Sequence, residues 1–387
     1  MEILENKVEQ ADGEMDLFRA MIERLSKNEF LGAHSQWESD GAVAQWAWRR
    51  AGEHGLLCAD LPEADGGPGG GFLHSAAVIE CLAANGLSGP CYSFMVHSDI
   101  VTPYIRQYGS ETLRRQWLPL MASGEALGAI AMTEPGVGSD LKAIRTLAVK
   151  TSEGGYVLNG AKTFITNGGI ADVVVVAAKT SPEKGAKGVS LFAVDSRSPG
   201  FRRGRNLEKL GMKASNTAEL FFDDVHVPGD ALLGEIDQGF RYLMTELPRE
   251  RLVIAIAAMA SAEAVLKQTI EYTKQRKVFG KSVSDFQNTA FRLTELHSEL
   301  VVARTFVNDC IRRQYMHSLD SETAAIAKLH LSELLGRVVD ICLQFHGGYG
   351  YMWEQPIARA YADARVLRIF GGTNEVMKDL ISRKLLA

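Results

Sequence analysis

Two glycine-rich segments carry most of the information in this sequence: Ala131–Asp140 reads AMTEPGVGSD, and Phe164–Ile170 reads FITNGGI. In the first segment, the hydroxyls of Thr133 and Ser139 accompany closely spaced backbone N–H groups, a combination that suits an anion such as a phosphate. A tight turn punctuated by glycine has the same composition. The first segment therefore predicts either a phosphate-binding loop or a structural turn.

The second segment places an aromatic ring two residues before a hydroxyl. If residues 156–167 form a strand, Phe164 and Thr166 lie on one face, because side chains alternate along a strand. The ring could then stack on a flat ligand ring to which the hydroxyl hydrogen-bonds. The Asn and Gly residues that follow are also typical of a tight turn, which is the alternative here.

The composition is that of an ordinary soluble globular protein: 387 residues, of which 46% are hydrophobic and 23% charged. This length suffices for two or three domains. The net charge of −5 argues against a general nucleic-acid binder, so we expect no nucleic-acid partner. A net negative charge does not exclude a local basic groove that binds a phosphorylated ligand.

The chain carries no pattern of a disulfide framework, a metal site or a targeting segment. Its 5 cysteines are an odd number without CxxC spacing, which favours a reducing compartment. The start, MEILENKVEQ, lacks the apolar core of a signal peptide, and the end, RKLLA, is not a peroxisomal signal. No run approaches 18 consecutive apolar residues. We therefore expect a cytoplasmic protein of bacterial type, without a membrane span and without a metal.

The hydrophobic pattern changes twice along the chain and predicts domains at 1–127, 128–232 and 233–387. The first domain is mainly helical, because apolar residues recur there with helical spacing. Its stretch Pro62–Gly71 lacks the Lys-Ser/Thr of a P-loop, so we expect a surface turn. The apolar residues that recur with helical spacing in this domain, called the helical stripe below, are Leu17, Phe18, Met21, Ile22 and Leu25.

The second domain is typical of a small β domain, because short β-branched or aromatic runs alternate with clusters of Gly, Asn, Asp and Pro. The third predicts a bundle of three long antiparallel helices whose apolar faces other helices must cover. The fold class is therefore α+β. The predicted strands are 156–167, 173–178, 189–194 and 218–227, and the predicted helices are 252–272, 291–315 and 323–345.

Both glycine-rich segments, in this order, resemble the flavin-binding signatures of the acyl-CoA dehydrogenase family. The succession of helical, β and long-helix domains resembles that family's architecture, and the resemblance covers nearly the whole chain. It implies FAD as the cofactor. The implied FAD contacts in the two segments are Met132, Thr133, Ser139, Phe164 and Thr166, and Ser139 is also implied at the substrate.

The segment RKVFGK resembles a stretch of the family that reaches the FAD of a neighbouring subunit. The resemblance implies that Arg276 meets the pyrophosphate, that Phe279 lies near the adenine, and that Gln287 also contacts the cofactor. Arginine suits this role because its planar fork binds phosphate bidentately. The alternative is a solvated basic turn at the end of a helix.

The segment QFHGGYG resembles the second stretch that reaches a neighbouring FAD. The implied contacts are Gln344, Gly347 and Gly348, and glycine lets the backbone approach a ligand closely. His346 ends an apolar helix, and we expect it to be structural, since histidine often serves at a helix terminus.

The segment FGGTNE departs from the commoner family pattern. Most members carry the catalytic glutamate at the position of Gly371, which here has no side chain. Long-chain and isovaleryl members carry it at the position of Glu250, and the stretch YLMTELPRERL resembles the long-chain branch. The resemblance thus implies Glu250 as the catalytic base. It further implies Arg251, Gly371 and Gly372 at the substrate, with Thr373 and Glu375 at FAD.

Glu250 also has a purely structural interpretation. Pro248 fits the first turn of a helix, and Glu250 would then lie near the third helical position. A carboxylate there interacts favourably with the helix dipole. The alternative is therefore a helix-start carboxylate with no part in the chemistry.

The reaction that the resemblance implies is the α,β-dehydrogenation of an acyl-CoA to a trans-2-enoyl-CoA. Glu250 would take the α-proton while the β-carbon passes hydride to flavin N5. The backbone N–H of Gly371 and a flavin ribityl hydroxyl would stabilise the charge that develops on the thioester oxygen. The implied setting is fatty-acid β-oxidation, with an electron-transfer flavoprotein as acceptor and a homotetramer as the assembly.

Three alternatives remain open on sequence grounds. An acyl-CoA oxidase or a flavin monooxygenase would share the fold, although monooxygenase relatives generally lack the base. A non-enzymatic relative of the DNA-damage response should show a basic stripe, which is not evident here. Acyl length and branching also stay open, and Cys91–Pro103 is the segment expected at the end of the acyl pocket.

Overall fold

The computed structural model describes residues 2–386, with side chains described from Gly13 onward. The chain begins with seven helices, as the apolar periodicity predicts. In the helical stripe Ile22 and Leu25 are buried, but Leu17 is 74% exposed and lies outside the core. The helices are α1 (Glu2–Leu25), α2 (Leu31–Asp40), α3 (Gln45–Glu53), α4 (Phe72–Ala84), α5 (Ser88–Met95), α6 (Thr102–Tyr108) and α7 (Glu111–Ser123).

Two π-type turns keep the early helices continuous. Ser26–Phe30 joins α1 to α2, and Val96–Val101 joins α5 to α6. The stretch Pro62–Gly71 lies between α3 and α4 and holds one short 3-10 turn at Glu63–Asp65, flanked by glycines with positive φ. It is a loop, as predicted.

The middle of the chain forms an eight-stranded sheet in the order β6-β7-β3-β2-β4-β5-β8, with β1 beside β4. The pairings of β1 and β2 with β4 are parallel and the others antiparallel. The four predicted strands are present within one residue at each end. The strands are β1 (Gly128–Ala131), β2 (Leu147–Lys150), β3 (Tyr156–Thr166), β4 (Val173–Lys179), β5 (Val189–Asp195), β6 (Phe201–Asn206), β7 (Thr217–Val227) and β8 (Leu232–Leu233).

Sequence patterns missed β1, β2, β6 and β8. Three of these are only two to four residues long, and β6 reads FRRGRN, which is mostly exposed and charged. Such strands carry too few alternating apolar positions to be recognised, and hydrogen bonds to a neighbouring strand define them instead.

The last part of the chain contains five helices and a short hairpin. The three predicted long helices are present, but the first of them starts 13 residues earlier than the predicted 252, and α11 and α12 were missed. These elements are α8 (Gly239–Gln275), β9 (Lys277–Val278), β10 (Lys281–Ser282), α9 (Gln287–Tyr315), α10 (Ser321–His346), α11 (Pro356–Ala364) and α12 (Asn374–Leu385).

Helix α8 is the central element of this part, because it packs against α4, α9 and α10. Residues 252–260 are almost completely buried, which explains why this stretch is apolar on every face. By length and composition α8 could cross a membrane, but 67% of its most apolar window is buried inside the protein. That burial is what a core helix shows.

Candidate active site

A buried carboxylate fixes the first glycine-rich segment. Glu134 accepts hydrogen bonds from the backbone of Arg145 and Thr146, at 2.7 and 2.9 Å, and from Nζ of Lys162, at 2.9 Å. Burial alone would raise the pKa of Glu134, but Lys162 and Thr146 outweigh it and hold that pKa below its usual range. Sequence reasoning missed both residues: Glu134 lies inside the first segment and Lys162 lies on β3, two residues before the second, and both side chains are buried.

The two glycine-rich segments meet in the folded chain. The backbone N–H of Thr163 donates to the carbonyl of Thr133 at 2.9 Å, and Nζ of Lys162 donates to the carbonyl of Met132 at 3.1 Å. Ser139 is exposed at the far end of the first segment. Met132 and Thr133 therefore lie beside the end of β3, as a shared binding surface requires.

Strand β3 presents Phe164 outward. The register between β3 and β7 shifts between Lys162 and Ile165, and Phe164 has a φ of +59°. A bulge of this kind redirects a side chain. Phe164 is 68% exposed, Ile165 is buried and Thr166 is half-buried, which agrees with the predicted common face for Phe164 and Thr166.

Glu250 lies well inside α8 rather than at its start. The helix begins at Gly239, so Pro248 lies in its interior and Glu250 follows 11 residues after the first position. The interpretation of Glu250 as a helix-start carboxylate is therefore wrong. Proline at 248 is the reason for the error, since proline is usually confined to the first turn of a helix.

The environment of Glu250 is almost closed to solvent, with only 4% of the residue exposed. Its Oε1 accepts a hydrogen bond of 2.8 Å from the hydroxyl of Tyr104 on α6. Burial raises the pKa of Glu250 to about 7; the hydrogen bond from Tyr104 and the charge of Arg251 oppose this rise, and the charge of Glu246 adds to it. A carboxyl group with a pKa near neutrality is suited to general-base catalysis.

The turn at Gly371 adjoins Ile254, which lies one helical turn beyond Glu250 on α8. Gly371 has a φ of +65°, and a Cβ atom there would overlap Cδ1 of Ile254 on α8. A conformation of this kind favours glycine. The missing side chain at 371 and the bulk of Ile254 are thus complementary.

A buried lysine holds this turn in place. Nζ of Lys328 on α10 donates to the carbonyl of Gly372 at 2.7 Å and to Oδ1 of Asn374 at 2.9 Å. Burial lowers the pKa of Lys328 to about 8. Tyr92 packs edge-on against Phe370, with ring centroids 5.6 Å apart. The backbone around Gly371 is therefore fixed from two sides.

Arg251 is buried directly beside Glu250 in sequence. Its Nη1 donates to Oγ of Ser321 at 3.3 Å, and its Nε has no hydrogen-bond partner in the part of the chain that the structure describes. A buried guanidinium group without a full set of partners has capacity left for a ligand.

A second cluster surrounds a cavity of about 510 Å³ at the carboxyl end of α8. Arg276, Gln344, Gly347 and Gly348 all line it, and the guanidinium of Arg276 lies 5.8 Å from the ring centroid of Tyr349. His346 also lines the cavity, where its ring stacks on Tyr272 and its Nδ1 lies 2.9 Å from the carbonyl of Cys342. These contacts agree with a structural role for His346.

The hairpin beside this cavity projects an aromatic ring. Phe279 is at the turn between β9 and β10, has a φ of +50° and is 96% exposed. Gln287 is exposed at the first position of α9. Both side chains are exposed and lie outside the buried core, so both are available to a partner surface.

The last three residues of the segment FGGTNE, Thr373, Asn374 and Glu375, lie at the start of α12. The hydroxyl oxygen of Thr373 caps this helix by accepting from the backbone N–H of Val376 at 3.3 Å, and Glu375 is exposed. Among the side chains that the structure describes, residues 13–386, no group of three or more His, Cys, Asp or Glu could hold a metal ion. All 5 cysteines are buried and free, as the absence of CxxC spacing predicted.

The observed surfaces suit the cofactor that the resemblance implies. An exposed aromatic ring on a fixed bulge can stack on an isoalloxazine ring. The cavity with Arg276 and flexible glycine backbone can accept a pyrophosphate.

Comparison with known proteins gives consistent matches along the chain. Three family models match in order: the acyl-CoA dehydrogenase N-terminal domain at residues 12–125, the middle domain at 129–225 and the C-terminal domain at 237–386. The long-chain specific mitochondrial acyl-CoA dehydrogenase of Mus musculus is 47% identical over 376 residues, covering 97% of this chain and 87% of the mouse protein.

Solved structures agree with these matches. An acyl-CoA dehydrogenase from Geobacillus kaustophilus has a TM-score of 0.93 and 45% identity, covering 96% of this chain and 98% of that chain. An acyl-CoA dehydrogenase complexed with FAD, from Bacillus anthracis, has a TM-score of 0.90 and 31% identity, covering 97% of this chain and 68% of that chain. The predicted fold class and family are confirmed. The chain belongs to the acyl-CoA dehydrogenase family and is an FAD-dependent acyl-CoA dehydrogenase.

Proposed function

We propose that the protein converts an acyl-CoA to a trans-2-enoyl-CoA and that Glu250 is the base that removes the α-proton. The observation that carries this proposal is the position of Glu250. It is a buried carboxylate inside α8, one helical turn before Ile254, and Ile254 contacts the turn at Gly371. Ile254 thus links the helix that carries the proposed base to the loop at Gly371, the position that usually supplies the base in this family.

The protein residues around the reacting thioester then have separate tasks. Glu250 accepts the α-proton, and the backbone N–H of Gly371 donates to the thioester oxygen as negative charge develops there. Arg251 binds the CoA part of the substrate. FAD, when bound, accepts the hydride equivalent that leaves the β-carbon.

The residues that would hold FAD come from both surfaces described above. Met132, Thr133, Ser139, Phe164 and Thr166 bind it in one subunit, and the cavity-lining residues of the next subunit complete the site. The carboxylate of Glu134 keeps the first group in place through Lys162. The second group consists of Arg276, Phe279, Gln287, Gln344, Gly347 and Gly348, with Thr373 and Glu375 as further contacts.

The proposal also covers the assembly of the protein, its location, its electron acceptor and its pathway. The assembly is a homotetramer in the cytoplasm, the electron acceptor is an electron-transfer flavoprotein, and the pathway is β-oxidation of fatty acids. An acyl-CoA oxidase is the second candidate, and the reaction of the reduced flavin with oxygen separates the two.

The test of the base is the change Glu250→Gln, which preserves shape but removes the proton acceptor. We expect the variant to fold and to bind FAD and acyl-CoA, while the rate of flavin reduction falls by about 10²–10⁴-fold. The measurement is the anaerobic single-turnover rate of flavin bleaching at saturating substrate. Glu246→Gln, one turn earlier on α8, is the matched control. A Glu250→Gln variant that bleaches within a few-fold of the wild-type rate would show that Glu250 is not the base.

A further inference from the structure

Helices α6 and α8 face each other through two matching pairs of side chains. The hydroxyl of Tyr104 donates to Glu250, and the hydroxyl of Tyr108 donates to Glu246, both at 2.8 Å. The two tyrosines are four residues apart on α6, and the two glutamates are four apart on α8. Each pair therefore lies one helical turn from the other.

The two pairs differ in burial. Tyr104 and Glu250 are buried, whereas Tyr108 and Glu246 are half-buried. The ring of Tyr108 stacks on that of Tyr242, with centroids 4.1 Å apart and an interplanar angle of 22°. The outer pair is thus anchored by an aromatic stack, while the inner pair is enclosed by the core.

We propose that Tyr104 is a positioning residue that orients the carboxylate of Glu250 and favours its ionised form. The proposal rests on the proposed function, since it presupposes that Glu250 is the base. Among the residues that the structure describes, Tyr104 is the one hydrogen-bond donor to Glu250. Without this hydroxyl the carboxylate would lie unpaired in a nearly dry environment, which disfavours its charge.

Among the described residues, no other charged group donates a hydrogen bond to Glu250. Glu246 repels the negative charge of Glu250, and Arg251 attracts it but donates its hydrogen bond to Ser321. Arg249 is held by Asp60, at 2.5 Å, and by Asp99, at 2.8 Å. The orientation of the Glu250 carboxylate therefore depends on α6, an element 146 residues away in sequence.

The experiment compares Tyr104→Phe with Tyr108→Phe in the FAD-loaded protein. Each change removes one phenol hydroxyl bound to one carboxylate and keeps the ring. The readouts are the pH dependence of anaerobic flavin reduction and an infrared titration of the carboxyl band that Glu250→Gln abolishes. We expect Tyr104→Phe to move both midpoints upward by about one pH unit, which corresponds to about 1.4 kcal/mol of lost preference for the ionised carboxylate.

We expect Tyr108→Phe to leave both midpoints near the wild-type values. Unchanged midpoints in Tyr104→Phe, or equal shifts in both variants, would overturn the inference. Failure of the proposed function is distinguishable, because Glu250→Gln would then reduce flavin at nearly the wild-type rate. Thermal melting of each variant separates a shifted midpoint from partial unfolding.

Discussion

Glu250, the proposed base, is buried and destabilises the fold when it is charged. Its pKa is raised by burial to about 7 in the folded protein, above the value for an exposed glutamate. The neutral form is therefore favoured by folding, and this contribution to stability is present at low pH and is lost as the pH rises through 7. The same burial that raises the pKa of Glu250 to about 7 therefore lowers the stability of the folded protein at higher pH.

The raised pKa of Glu250 predicts a pH-dependent difference in stability, which can be measured without enzyme turnover. Above pH 7, Glu250→Gln should raise the free energy of unfolding by about 1–3 kcal/mol relative to the wild-type protein, because glutamine is never charged. The difference should shrink toward pH 5. Denaturant unfolding of both proteins at pH 5 and pH 8 measures it. A glutamine variant that is less stable at pH 8 would contradict the raised pKa.

Moving the base to the commoner family position is a second prediction. Glu250→Gly combined with Gly371→Glu should recover part of the rate of flavin bleaching lost in Glu250→Gly. The recovery is limited because Gly371 has a positive φ and a Cβ there would overlap Ile254. Adding Ile254→Val should therefore increase the rate again, by about tenfold if relief of this overlap contributes about 1.4 kcal/mol. If the third change lowers the rate, Ile254 is not the obstacle.

The hairpin of β9 and β10 and the end of α8 form the element expected to reach a neighbouring subunit. Arg276→Ala should reduce the FAD content per chain or weaken the assembly, because Arg276 lines the 510 Å³ cavity. Flavin absorbance and light scattering after gel filtration measure both quantities. Lys281→Ala, on the same hairpin, is the matched control, since Nζ of Lys281 lies 4.0 Å from the ring centroid of Phe286, the residue before α9. An Arg276→Ala monomer that retains full FAD would refute this assignment.

The whole enzyme should prefer medium-to-long or branched acyl-CoAs over butyryl-CoA. The reason is the position of the proposed base, Glu250, on α8 and the 47% identity of the chain to a long-chain specific enzyme. Anaerobic flavin bleaching across acyl lengths and branching patterns, followed by kcat/KM for each substrate, tests this preference. A clear maximum at four carbons would show that the base position does not report on substrate length.

Local patterns in the sequence were enough for the large elements and for the family. The strands near 156–167 and 173–178 and the three long helices were recognisable because their apolar periods are set by the geometry of a single strand or helix. The motifs around Thr133, Phe164 and Arg276 were recognisable because each of them is one continuous stretch of sequence. Their roles at the site stay predictions.

The tertiary structure decided what depends on residues far apart in the chain. It placed Glu250 in the interior of α8 rather than at its start, joined Tyr104 to it across 146 residues, and paired Glu134 with Lys162 across 28. The sequence pattern did not predict these contacts. A single residue produces no periodic signal that would indicate its partner elsewhere in the fold. Burial and hydrogen bonding set the charge state of a base, and both arise only when separate elements pack together.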